Sequence, residues 1–91
     1  MDINYKLILV HHIGINKETE VKIEINKTIG DLKNKIENVF NCKIKGALML
    51  IKKARRHSFA LIDENQIIAD AHIHNFDRII IGKDDVPKEN Y

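Results

Sequence analysis

Only one segment of this chain, residues 27–40 (KTIGDLKNKIENVF), places its apolar residues at helical spacing. Ile29, Leu32, Ile36, Val39 and Phe40 recur at steps of three, four, three and one, the pattern of an amphipathic helix with one buried face. Thr28 stands where a helix begins, and Asp31 three residues later is the acidic partner of a capping box. Every other apolar run is short or alternating. A single helix cannot cover its own apolar stripe, so this chain needs a sheet to bury it against.

The strands can be read around that helix. YKLILV (5–10) is a strand, and EVKIEIN (20–26) alternates, with Val21, Ile23 and Ile25 on one face and Glu20, Lys22 and Glu24 on the other. The turn Gly14–Lys17 joins them as a hairpin. After the helix, GALMLIKK leaves through Gly46 as a third strand, SFALI is a shorter fourth, and RIIIG is a buried strand stopped at Gly82. The expected fold class is α+β: a mixed sheet of four to five strands with one central helix on one face, spanning residues 1–82. A charged tail, residues 83–91 (KDDVPKENY), is expected to be flexible.

Composition narrows the function classes. The chain of 91 residues has room for one domain and one core. Fifteen basic and thirteen acidic side chains leave a net charge of +2, too little to imply nucleic-acid or membrane binding on its own. The single cysteine, Cys42, cannot form an internal disulfide. The start MDINYKLILVHH has no cationic segment before its apolar run, and no run approaches the roughly 20 residues that cross a bilayer. A reduced, cytoplasmic setting without membrane insertion is expected.

No catalytic constellation emerges. Cys42 lacks a positioned base and reads as a core filler, Ser58 has no nucleophile elbow, and no glycine-rich loop cradles phosphate. His11 and His12 are adjacent and point to opposite faces of a strand. His72 and His74, with Asp70 or Asp77, make at best an incomplete metal site. The chain is expected to be no enzyme and to need no cofactor or metal.

TIGDLKNKIENVF after an apolar hairpin, then LMLIKK, then IIADAHIHNFDRIII resembles the ubiquitin-like β-grasp family across residues 5–82. The opening TIGDLK is similar to non-conjugated ubiquitin-like proteins associated with splicing. The spacing through LIDENQIIADAHIHNFD is similar to the YukD-type proteins of type VII secretion. Two residues depart from the family pattern. Ala71 stands where a tyrosine is common, so the phenol's hydrogen bond to the neighbouring loop must be missing or replaced. Phe76 stands where many relatives have glycine, so the turn is expected not to rely on free positive φ there, while Asn75 tolerates that region unusually well. The resemblance implies a binding module gripped on its open sheet face. Ubiquitin-type modifiers carry a terminal Gly-Gly, whereas this chain has only Gly82, at a strand end.

With Leu7 and Leu9 taken as the core face of the first strand, Ile8 and Val10 point outward. Together with Leu48, Leu50 and Ile80 they are the expected apolar contacts of a partner protein. The cluster KKARRH adds Lys52, Lys53, Arg55, Arg56 and His57 as contacts for an acidic surface. No aromatic interleaves with the cluster, which makes nucleic acid an unlikely ligand. The expected function is a non-enzymatic adaptor, with a homodimer through the open face as another way of covering it. Two alternatives stay open: a modifier or sulfur carrier processed to Gly82, and a nucleic-acid-binding domain using the basic loop.

Overall fold

The computed structural model describes residues 4–52 and 57–82. The expected tail, residues 83–91, and three of the expected contacts, Lys53, Arg55 and Arg56, lie outside the described residues. The chain forms β1 (Tyr5–His12), β2 (Lys17–Glu24), α1 (Ile29–Phe40), β3 (Leu48–Ile51), β4 (Ser58–Leu61), a short 3-10 turn (Ile68–Asp70) and β5 (Arg78–Ile81). The five strands lie in the order β2-β1-β5-β3-β4. Among the described residues, only the β1–β5 pair is parallel; the other neighbours are antiparallel. This is the mixed sheet with one helix expected from the sequence.

Helix α1 starts as its capping residues dictate. The Asp31 amide donates to the Thr28 hydroxyl at 3.1 Å and the Thr28 amide donates to the Asp31 carboxylate at 3.0 Å, so two amides without helical partners are satisfied reciprocally. Hydrogen bonding to Thr28, first by its backbone amide and second by its hydroxyl, holds the Asp31 carboxyl below the ordinary aspartate range. Two further first-turn amides are taken by the segment before the 3-10 turn: Ile29 donates to the Gln66 carbonyl and Gly30 to the Glu64 carbonyl, each at 2.9 Å. The helix ends at Asn41, which adopts the left-handed conformation (φ 52°) suited to its short polar side chain. Ile29, Leu32, Ile36 and Phe40 face the sheet; Val39, expected on that stripe, is half exposed.

The core lies between α1 and one face of the sheet, and the register decides which strand residues enter it. Opposed residues of an antiparallel pair share a face, and Ile8 stands opposite Val21, Lys6 opposite Ile23 and Leu7 opposite Lys22. Because Val21 and Ile23 are buried, Ile8 and Val10 go inward with them. Across the sheet, Val10 is level with Ile79, Ile79 with Leu50, and Leu50 with Phe59. Ile8, Val10, Leu48 and Leu50 are all at most 2% exposed, so these four expected partner contacts are core residues. Cys42 is buried among the core side chains, outside any disulfide.

His12 ends the inward row of β1. It is fully buried, its ring 5.5 Å from that of Phe40, and neither ring nitrogen has a hydrogen-bond partner among the described residues. Gly82 closes over it with φ 92°, where an added Cβ would sit well inside van der Waals contact with the ring. Gly82 is therefore required twice over, by its backbone conformation and by the packing of its neighbour. None of the described helices is long and apolar enough to cross a membrane.

Candidate functional site

The sheet face away from α1 is set by the same register, one residue out of phase. One row crosses it as Glu20, Leu9, Arg78, Ile51 and Ser58; the next runs Glu18, His11, Ile80, Met49 and Ala60; Leu7 lies beside Lys22. Leu7, Leu9, Ile51 and Ile80 are half-buried, and Met49 is 40% exposed. Five apolar side chains thus share this face with Glu18, Glu20, His11 and Arg78, more apolar character than the open side of an antiparallel or mixed sheet normally shows. Glu18 gives the face its polar fixture, taking Arg78 at 3.1 Å and lying 3.9 Å from the ring of His11. Both groups are substantially exposed, so the pair contributes direction more than stability.

Of the five apolar contacts expected from the sequence, the fold places only Ile80 on this face. Ile8, Val10, Leu48 and Leu50 are replaced by Leu7, Leu9, Met49 and Ile51. Period-two alternation identifies two faces without saying which is inside, and a slip of one residue exchanges them. The missed signal lay in the hairpin. Closing residues 13–16 as the loop sets Leu7 and Leu9 opposite the charged Lys22 and Glu20 of β2, which had already declared their face.

The basic cluster is also partitioned by the fold. Lys52 is not a free surface cation. Its ammonium is 2.6 Å from the Asp77 carboxylate and 2.8 Å from His74 Nδ1, and it also donates to the His72 carbonyl. Asp77 is 1% exposed, and its carboxylate additionally accepts the His74 amide at 2.9 Å. Lys52, the residue after β3, thus pins the loop 72–77. His57 is exposed, its ring meeting that of Phe59 edge-on at 6.3 Å.

The same loop corrects the expected turn. Positive φ falls on Phe76 (69°) and His72 (55°), whereas Asn75 does not adopt it. Asn75 instead accepts the Leu7 amide through Oδ1 at 2.9 Å, while the Phe76 amide donates to the Leu7 carbonyl at 2.7 Å. The loop thereby continues the β1 ladder, and that pairing holds Phe76 in a conformation bulky residues rarely take.

No protein-family model matches the sequence, and no curated protein sequence matches it. Among solved structures, the chain is similar to the ubiquitin-like domain of an Arabidopsis thaliana protein, determined in solution by NMR. The TM-score is 0.65 at 20% identity, covering 87% of this chain and 77% of that one. At this identity the likeness concerns architecture alone, and it agrees with the strand order and the single capped helix: the chain has the ubiquitin-like β-grasp fold.

Proposed function

We propose that this chain is a non-enzymatic protein-interaction module that docks a partner protein on its open sheet face. The observation that carries this reading is the apolar surface of Leu7, Leu9, Met49, Ile51 and Ile80 on a face that α1 does not cover. Burying such a surface releases about 25 cal/mol for each Å² removed from water, and the Glu18–Arg78 pair supplies orientation at its centre. The exposed His57 and the cations at 53, 55 and 56 add selectivity for an acidic partner. The finer sequence resemblances suggest a cytoplasmic accessory of a secretion system or of the splicing apparatus.

Processing to Gly82 is the weaker reading. That glycine is buried against His12, and the amide of Ile13 donates to the carbonyl of the preceding residue, Ile81, at 2.9 Å. A residue seated this way is unsuited to the slim free terminus that adenylating enzymes thread.

The test pairs an untagged co-purification from the native host with two face variants, Met49→Glu and Leu9→Ser, both checked for native folding by circular dichroism. A partner held by the wild type and lost by both variants supports the reading. A partner retained by both, or a native mass trimmed to Gly82, overturns it.

A further inference from the structure

Among the described residues the sheet has two edge strands, β2 and β4, and they are protected unequally. Along β2 the charged Lys17, Glu18, Glu20, Lys22 and Glu24 oppose the addition of another strand. β4 reads Ser-Phe-Ala-Leu and is followed by Ile62, with neither a charge nor a proline to do the same. Ser58, Phe59 and Ala60 are exposed, and Ile62 is 79% exposed. An uncharged edge left bare in this way is a template for pairing.

The phase of the β3–β4 ladder shows what this edge offers. The Lys52 amide donates to the His57 carbonyl at 3.1 Å, so in the same register Leu50 with Phe59 and Leu48 with Leu61 are the bonded pairs. Ser58 and Ala60 alternate with them and turn their N–H and C=O groups away from β3, where no described residue takes them. Groups facing outward at every second residue call for an extended strand, and the side chains fit a second copy of β4 itself. Running antiparallel with Ala60 opposite the partner's Ala60, that strand sets Phe59 beside the partner's Leu61, Ser58 beside the partner's Ile62 and His57 beside the partner's Asp63. Shifting it by two residues one way sets Leu61 against the partner's His57; the other way sets Phe59 against the partner's Asp63. Only the first register joins apolar to apolar and imidazole to carboxylate. It also accounts for Phe59, which is 48% exposed on the core side of the sheet and is covered by the partner's Leu61.

We infer that β4 is the contact of a two-fold homodimer, in which a second copy of this chain adds its own β4 antiparallel, Ala60 to Ala60, and joins the two sheets into one. A two-fold contact uses the same patch on both copies, and this strand with its flanks is complementary to itself. The edge is separate from the open sheet face, so each copy in the dimer keeps that face for another protein.

The test is sedimentation equilibrium of the full chain from about 10 µM to about 1 mM. A dimer with a dissociation constant on the order of 100 µM is expected, because one short strand pair lies at the small end of specific interfaces. Ala60→Pro removes the outward amide at the two-fold axis and spares the bonds to β3, a substitution that edge strands tolerate; it should weaken the dimer at least about tenfold. Phe59→Lys should do the same and provides a second variant should the first fail to fold. Leu9→Ser should leave the dimer unchanged, which separates failure here from failure of the open-face reading. The register is read by cross-linking at about 1 mM protein under mild oxidation: Ala60→Cys meets its own copy at the roughly 5.5 Å Cα spacing a disulfide spans, whereas Ser58→Cys does not. A monomer throughout this range, a dimer that both edge variants leave intact, a dimer lost in Leu9→Ser, or Ser58→Cys cross-linking as well as Ala60→Cys would overturn the inference.

Discussion

Replacing Lys52 by Met tests the internal ion pair most directly, because it keeps most of the apolar stem and removes the charge. The Asp77 carboxylate cannot follow its lost partner into water: the residue is 1% exposed and tied to the His74 amide at 2.9 Å. A buried charge left without its counter-ion costs about 3–5 kcal/mol. The lower end applies here, since the His74 amide still solvates one oxygen, giving a loss of about 3 kcal/mol and, for a domain of this size, a fall in Tm of about 12–24 °C. The converse change should be milder. In Asp77→Asn the side-chain oxygen still accepts the His74 amide, and the ammonium, whose side chain is 18% exposed, can turn to solvent, so about 1 kcal/mol is expected. The double variant should be more stable than the two losses added together, by at least about 1 kcal/mol. Urea unfolding followed by far-ultraviolet circular dichroism measures all four proteins. A Lys52→Met loss below about 0.5 kcal/mol, or strict additivity, would refute the account of an obligatory buried pair.

Other perturbations follow from the same geometry. Thr28→Ala should cost about 1 kcal/mol by removing one arm of the capping box, read from the urea midpoint. Because the folded-state pKa of Asp31 is lowered, its contribution is present above the ordinary aspartate pKa and lost as pH falls through the folded value. The stability gap between the wild type and Asp31→Asn should therefore be open at pH 7 and close below pH about 4; a gap that persisted at pH about 2 would contradict this. Gly82→Ala should destabilise by about 3 kcal/mol, combining left-handed strain with the clash against His12, and a Tm within about 3 °C of wild type would disprove that packing. His12→Met should stabilise by about 1 kcal/mol, because it removes two buried nitrogens that have no partner among the described residues and keeps a comparable volume; destabilisation would show that the ring is bonded.

Local features were legible in the sequence where one stretch of chain settles them. Thr28 and Asp31 start the helix because both lie within one turn of it, and Asn41 ends it through its own backbone tolerance. Val39 was misplaced because a stripe of five apolar residues does not say where its edge meets solvent. The turn at 72–77 was misread for a different reason. Asn75 has the higher intrinsic tolerance of positive φ, but its side chain is occupied by the Leu7 amide, 68 residues away in sequence, and Phe76 takes the conformation instead.

The sequence by itself determined the capped helix, a hairpin before it and strands after it. Each of these follows from periodicity, capping and turn chemistry within a few residues. Only the tertiary structure decided which face of each strand is inside, because alternation is symmetric until a register breaks it. The same register buried Ile8, Val10, Leu48 and Leu50 and exposed Met49. Only the tertiary structure brought Lys52 to Asp77, 25 residues apart, turning a presumed surface cation into the pin of a loop.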